Sequence, residues 1–221
     1  MTRTSLPVAA AVAVSAALLL SACGGGTSDS SDKIQTTPAT TLAPTATTAK
    51  PSPTATTAQP ATPKFTLPPD AKVVFTGYDG PDAATKSVLR DVKNAVLSMQ
   101  EAEGKGQGST PNLKRYFIPL QAATASDTAL WYHKNGLTIT GTVKDYRPTV
   151  KFDAPDRVQV SYCEDERQAF DKVVATGEVK RTKPSLQDFS LWRMGMAKNA
   201  AGDWQVADYS QQEGVSKCAA T

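Results

Sequence analysis

Three cysteines carry the clearest chemistry in this chain of 221 residues. Cys23 follows an apolar N-terminal segment, and its thiolate is a nucleophile that can be alkylated. Cys163 and Cys218 lie much further along the chain, where two thiols can form a disulfide, ligate a metal or remain free. Because the fate of a thiol depends on its compartment, the N-terminal segment bears on all three residues.

Residues 1–22 have the organisation of a secretory signal peptide. Arg3 and the α-amine form a short positive region, and Leu6–Leu20 is apolar but short for a spanning helix, which needs roughly 20 residues. The run Leu20-Ser21-Ala22-Cys23 resembles a bacterial lipobox, which implies cleavage before Cys23 and attachment of diacylglycerol to its thiol. The alternative is an ordinary signal peptide, but such a site prefers a small residue where Leu20 stands. We therefore expect a lipoprotein with fatty-acyl (palmitate-type) chains on Cys23, held on the extracytoplasmic face of the cell membrane.

Lipidation of Cys23 leaves Cys163 and Cys218 as a pair in an exported protein. A disulfide is the usual state of such a pair outside the cytoplasm. A metal pair or two free thiols are the alternatives, but a metal site needs further ligands and His133 is the only histidine. We expect the disulfide and no metal site.

Residues 23–64 are expected to form a tether that begins with the lipidated cysteine. Positions 24–64 hold 12 Thr, 7 Ala and 6 Pro, with no aromatic residue. Such a segment cannot bury enough apolar surface to offset the entropy lost on ordering, so the composition predicts disorder. The sequence thus divides into a signal peptide over 1–22, a tether over 23–64 and a folded domain over 65–221.

The composition argues against two classes of function. The net charge is only +3 and the basic residues form no clustered stripe, so we expect no nucleic-acid partner. The chain shows no Ser-His-Asp set, Walker sequence or CxxC motif, so we expect no catalytic residue and no cofactor. His133 stands beside Lys134-Asn135-Gly136, and a surface position suits it better than the role of a base. The run Glu164-Asp165-Glu166-Arg167 is interpreted as a solvated turn after a strand.

Helical periodicity dominates the first half of the folded domain. Apolar residues between Val88 and Met99 recur at helical spacing and predict a helix from about 82 to 103, ended by Gly104 and Gly106. A short helix is expected after Pro111, followed by a third over about 120–133. Leu120, Ala123, Leu130 and Trp131 are expected on the buried side of this third helix.

The period changes to two from Leu137 onward. Alternation predicts strands near 137–143, 158–162, 186–197 and 204–208, the last two joined as a hairpin. Val173-Val174 and Glu178-Val179 flank Thr176-Gly177 and form another candidate hairpin. Helices followed by strands predict an α+β fold, with N-terminal helices packed on one face of a curved antiparallel sheet.

This order resembles the nuclear-transport-factor-2-like (cystatin-like) superfamily, and actinobacterial secreted lipoproteins within it. The resemblance is carried by the helix Leu113-Lys114-Arg115-Tyr116-Phe117, by strands like Val160–Asp165 and Gly202–Tyr209, and by the layout of Cys163 and Cys218. It covers about 150 residues and implies a cone with a cavity between sheet and helices. It also implies a homodimer through the sheet as one arrangement of partners.

Five aromatic residues are the candidates for lining such a cavity: Tyr116, Phe117, Trp131, Trp192 and Trp204. Core packing is the alternative role for each of them. We expect a non-catalytic accessory domain that binds a small ligand or an envelope protein. The alternatives are a small enzyme of the cyclase or isomerase type and a structural subunit of an envelope complex. The enzyme requires a buried ionisable pair in the cavity, whereas the accessory domain requires an exposed apolar patch.

Overall fold

The computed structural model describes residues 61–220. The signal peptide, Cys23 and most of the tether therefore lie outside the described residues. The elements, in chain order, are β1 (Ala71–Thr76), α1 (Ala83–Lys105), α2 (Pro111–Tyr116), α3 (Pro119–Lys134), β2 (Leu137–Ala154), β3 (Arg157–Val173), β4 (Val179–Lys180), β5 (Phe189–Lys198), β6 (Trp204–Gln212) and α4 (Ser216–Ala219). No helix within residues 61–220 is long and apolar enough to cross a bilayer.

The first two helices begin and end where local chemistry directs. The Asp82 carboxylate accepts a hydrogen bond of 2.9 Å from the Thr85 amide and caps α1. Gly106 ends the helix in the left-handed conformation, which glycine adopts without a steric penalty. Pro111 occupies the first turn of α2, and the Thr110 hydroxyl accepts the Leu113 amide at 3.1 Å. The predicted positions of these helices are confirmed.

The sheet has the strand order β1-β2-β3-β5-β6, with β4 added beside the end of β3. All pairs are antiparallel except β1 with β2, which run parallel. The β2–β3 ladder contains three register shifts, and such bulges bend and twist a sheet. Gly141 adds a kink, because its φ is +90° and a side chain there would collide with the Gln168 carbonyl oxygen. The α+β architecture with helices on one face of a curved sheet is confirmed.

The apolar core lies between α1 and the inner face of the sheet. Val88, Val92 and Val96 of α1 are buried in one cluster with strand residues such as Val160 and Met194. Burial of these side chains is the main stabilising term, at about 25 cal/mol per Å² of apolar surface.

Helix α3 presents a different side to this core from the one predicted. Ala122, Ala125 and Ala129 are buried, while Leu120 is 69%, Leu130 48% and Trp131 51% exposed. The prediction that Leu120, Ala123, Leu130 and Trp131 lie on the buried side was wrong. Small residues, rather than the largest apolar ones, allow α3 to pack closely against the core.

A network of charged groups ties α1 and α2 to the turn between β5 and β6. The buried Asp91 carboxylate accepts hydrogen bonds from the Trp204 amide at 3.0 Å and from Arg90 at 2.8 Å. Arg115 of α2 forms an ion pair of 2.8 Å with Asp203. The Arg115 guanidinium also donates to the Ala61 carbonyl oxygen at 2.6 Å. This corner therefore holds the start of the described chain against the domain.

The outer face of the sheet carries the predicted disulfide between Cys163 and Cys218, which is present in the structure. The bond joins α4 to β3, and a small apolar cluster with Phe189 and Leu191 surrounds it. The Tyr146 hydroxyl donates to the Cys218 carbonyl oxygen, so the C-terminal segment is also held by a hydrogen bond. The outer face of β3 thus binds the C-terminal segment through the disulfide, while its inner face packs in the apolar core.

Candidate functional site

The structure separates the five predicted cavity-lining aromatic residues. Tyr116 and Trp204 are closed within the core, at 0% and 3% exposure, and Trp131 stands half-exposed on α3. Phe117 is buried but borders a separate apolar groove of about 480 Å³ beside α2 and α3. Only Trp192 of these five lines the cavity between the helices and the sheet.

That cavity lies between α1, α3 and the inner face of β3, β5 and β6. Its volume is about 410 Å³, and its walls include Glu103, Tyr132, Tyr162, Glu164, Glu166 and Trp192. A second cavity of about 230 Å³ shares Glu103, Tyr132 and Glu166 and continues toward β4, where Lys72 and Lys180 line it. We call the larger space the inner cavity.

Strand β3 supplies two of the carboxyl groups. The prediction that Glu164–Arg167 is a solvated turn was wrong, because β3 runs on to Val173 and both Glu164 and Asp165 are buried. Alternation along the strand sends Glu164 and Glu166 to the same inner face as Tyr162. Asp165 points to the other face, where it pairs with Arg167 at 2.8 Å.

Helix α1 supplies a third carboxyl group at its C-terminal end. Glu103 lies four residues after Met99 and seven after Val96, so it continues the buried stripe of the helix. Its Oε2 accepts a hydrogen bond of 3.3 Å from Gln100. Sequence reasoning ended the apolar stripe at Met99 and missed this residue. Extending the same spacing by one turn would have found it.

Glu213 also lines the cavity, and the three carboxyls from α1 and β3 differ in how they are partnered. Glu164 Oε1 accepts a hydrogen bond of 2.6 Å from the Trp192 indole nitrogen, and Gln211 approaches the same oxygen at 3.5 Å. Burial first, and then the charges of Glu166 and Asp145, raise the pKa of Glu164 well above its usual value. Burial and the charges of neighbouring carboxylates, Glu213 foremost, raise the pKa of Glu166 to about 7. Burial likewise raises the pKa of Glu103 to about 8.

A further carboxyl group, that of Asp145, lies behind this wall. Asp145 is directly opposite Glu164 in the β2–β3 ladder and is 0% exposed. Neither of its carboxylate oxygens, nor the buried Tyr78 hydroxyl, has a hydrogen-bond partner among the described residues. Burial, followed by the charge of Glu166, raises the pKa of Asp145 well above its usual value. The acidic wall therefore extends from the cavity into the sheet.

Aromatic rings form the adjoining wall. Tyr162 stacks with Trp192 at a centroid distance of 6.2 Å, and Trp192 stacks with Tyr209 at 6.0 Å. The edge of Tyr78 meets Tyr162 at 6.3 Å. Such a wall offers apolar contact together with the electron-rich faces and edges of the rings.

The arrangement suits proton exchange and hydrogen bonding more than nucleophilic or metal chemistry. His133 is exposed to solvent at the end of α3 and is not placed to act as a base. Within residues 61–220, no three His, Cys, Asp or Glu side chains are grouped to hold a metal ion. Carboxyl groups with pKa values of about 7 and about 8 can donate or accept a proton near neutral pH.

The discriminating expectations from sequence can be compared with the described part of the chain. The enzyme hypothesis requires a buried ionisable pair in the cavity, and Glu103 with Glu164 is one. The accessory hypothesis requires an exposed apolar patch, and Leu120, Leu130 and Trp131 are each exposed on α3. These features alone do not decide between the two functions.

No family model and no curated protein matches the chain. Among solved structures, it is similar to the intermembrane space region of the chloroplast protein ARC6 (15% identity, TM-score 0.36, covering 56% of this chain and 95% of that one). It is also similar to a ketosteroid isomerase-like protein from Erwinia carotovora atroseptica (13% identity, TM-score 0.37, covering 58% of this chain and 94% of that one). A protein from Catenulispora acidiphila is similar as well (11% identity, TM-score 0.40, covering 62% of this chain and 99% of that one). Similarities this distant assign neither family nor function, and the α+β class follows from the topology of this chain.

Proposed function

We propose that this protein is a lipid-anchored extracytoplasmic lipoprotein whose folded domain binds a small molecule in the inner cavity. The observation that carries the binding role is the inner cavity itself, where Glu103, Glu164 and Glu166 face a space of about 410 Å³ beside stacked aromatic rings. Polar groups converging on a partly apolar cavity are the usual composition of a ligand site. The signal segment and Cys23 support the location.

The location is tested by a Cys23→Ala variant expressed in a bacterium that processes lipoproteins. The variant lacks the thiol that would carry diacylglycerol, so we expect it to be released from the membrane or retained as an unprocessed precursor. Fractionation with intact-mass measurement distinguishes these forms, and a Cys218→Ser variant that keeps Cys23 serves as the control. A mature Cys23→Ala protein that stays in the membrane fraction would contradict the anchor.

The binding role is tested with a fragment library and the indole N–H resonance of Trp192, which reports on the hydrogen bond to Glu164. Thr128 lines the inner cavity from α3, so Thr128→Phe should obstruct it and weaken binding by at least about tenfold, or about 1.4 kcal/mol. Thr124→Phe, one turn earlier on the same face of α3 but outside the cavity lining, should leave binding unchanged. If no fragment moves the Trp192 resonance, or if both variants bind as the wild type does, the proposed role fails.

An enzyme of the cyclase or isomerase type is the second candidate. The pKa of about 7 for Glu166 and of about 8 for Glu103 favours it, because a general acid or base works best near the operating pH. Chemical conversion of a bound fragment, visible as new ligand signals, would favour the enzyme. Unchanged ligand spectra during prolonged binding would favour the binding protein.

A further inference from the structure

The inner cavity concentrates acidic groups, whereas the basic residues Lys72 and Lys180 line the smaller adjoining cavity. Glu103, Glu164, Glu166 and Glu213 line it, and none of its described lining residues is Lys, Arg or His. A carboxylate removed from water without a counter-charge is strongly disfavoured. Either a proton or a bound cation has to compensate each charge that forms there.

Asp145 adds hydrogen-bonding capacity that the described residues do not use. Its carboxylate is fully buried, and neither oxygen accepts a hydrogen bond from residues 61–220. Because Asp145 and Glu164 are directly opposed across two strands, their side chains stand on the same inner face. Asp145 lies behind the cavity lining, so its unpartnered carboxylate adds to the acidic character of the wall without contacting a guest in the cavity.

The aromatic wall is suited to the same kind of guest. Tyr162, Trp192 and Tyr209 form a continuous stack beside the carboxyl groups. Aromatic rings attract cations through their quadrupole, by about 0.5–2 kcal/mol depending on desolvation. Val96 and Met99 complete the lining with apolar surface from α1.

We propose that the natural ligand class of the inner cavity is an organic cation, an amine whose N–H groups meet Glu164 and Glu166 while its apolar body contacts Trp192 and Tyr209. This inference rests on the proposed binding function and specifies its ligand. A metal ion is a poorer fit, because no three ligating side chains are grouped among the described residues. A neutral ligand would leave protons as the only compensation for the acidic wall.

The experiment compares three probes that share one ring and differ in charge: benzylamine, benzyl alcohol and benzoate. Each is titrated into the full chain in detergent at about pH 7.5, where benzylamine is cationic, and followed by the Trp192 indole resonance and by calorimetry. We expect saturable binding of benzylamine, at least about tenfold tighter than either of the other probes. Calorimetry in buffers of different ionisation enthalpy should show proton release, because a cation displaces protons from the carboxyl groups.

Substitutions of single carboxyl groups show which residues recognise the amine. Glu164→Gln should weaken benzylamine by at least about tenfold, and Glu166→Gln serves as a second variant should the first not fold. Glu178→Gln changes an exposed carboxyl in the turn before β4 and should bind benzylamine as the wild type does.

The outcomes separate this inference from the proposed function. Equal or tighter binding of benzyl alcohol or benzoate at Trp192 would overturn the cationic ligand class and leave the binding cavity standing. Benzylamine binding that is insensitive to both cavity variants would also overturn it. If neither these probes nor the fragment library moves the Trp192 resonance, both proposals fail.

Discussion

The domain is expected to resist urea better at about pH 5 than at about pH 8.5, by several kcal/mol. The inner-cavity carboxyls cause this trend, because burial raises the pKa of Glu166 from 4.5 to about 7 and that of Glu103 from 4.5 to about 8. A group whose pKa is higher in the folded state binds more protons there. Its favourable contribution is complete below its unfolded pKa and is lost as pH rises through the folded pKa.

The size of the effect follows from the linkage between protonation and folding. The shift of Glu166 alone corresponds to about 3 kcal/mol between the two ends of its titration. Glu103, Asp145 and Glu164 act in the same direction, since burial is the first cause of the raised pKa in each. Stability should therefore decline mainly between about pH 5 and pH 8.

Other carboxyls limit the increase in the free energy of unfolding as pH falls further. A hydrogen bond with Lys172 lowers the pKa of Asp70, and one with Arg167 lowers that of Asp165. Groups of this kind stabilise the fold above their unfolded pKa, and the contribution is lost as pH falls through their folded pKa. The maximum of stability is accordingly expected near pH 5, between about 4 and about 6.

Urea denaturation at several pH values measures the trend. Glu166→Gln should reduce the decline in stability by about 3 kcal/mol, because the amide does not titrate, while Glu178→Gln in the exposed turn before β4 should leave it unchanged. A free energy of unfolding that stays level or rises from pH 5 to pH 8.5 would show that the cavity carboxyls are charged and compensated in the folded protein.

The second large effect is expected from loss of the disulfide. Cys163 and Cys218 are 55 residues apart, and a loop of that length corresponds to about 4 kcal/mol in the chain-entropy description of the unfolded state. The Cys163→Ser/Cys218→Ser variant should lose roughly that amount of unfolding free energy. Amide exchange should show α4 opening first, because the remaining contacts of Tyr146 and Arg147 with the C-terminal segment are few.

A matched comparison separates the effect of losing the disulfide from the effect of replacing a cysteine. Cys23→Ser removes a cysteine outside the described domain and should leave unfolding of residues 61–220 unchanged. Wild-type protein treated with a reductant should behave as the double variant does. If reduction leaves the urea midpoint in place, the bond contributes little to the stability of the fold.

The fold was largely predictable because its elements have strong local signals. The Asp82 cap, Gly106 and the spacing of apolar residues define α1, and the two-residue period from Leu137 defines the start of the sheet. The parallel pairing of β1 with β2 was not predictable, since it depends on where the helices return the chain. Local periodicity also failed for α3, where close packing selected alanines over Leu120 and Trp131 for burial.

The acidic lining of the cavity was missed for a related reason. Glu164 and Glu166 occupy inward-facing positions of β3. Because charged residues are usually exposed, the sequence run was interpreted as a solvated turn. Only the tertiary structure brings β3, α1 and β2 together, so that Glu103 and Asp145 join the same acidic wall. Sites formed by buried charges break the hydrophobic pattern, and pattern reasoning is weakest there.

The corner at Arg115 has a mechanical consequence. Ala61 is the first residue that the structure describes, and its carbonyl oxygen accepts a hydrogen bond from Arg115, which pairs with Asp203 just before β6. Tyr209, in the cavity wall, lies six residues further along that strand, or about 20 Å at the rise of an extended chain. Tension applied upstream of Ala61 would load α2 and the β5–β6 turn first. The wall of the inner cavity at Tyr209 lies further along β6 than this first point of loading.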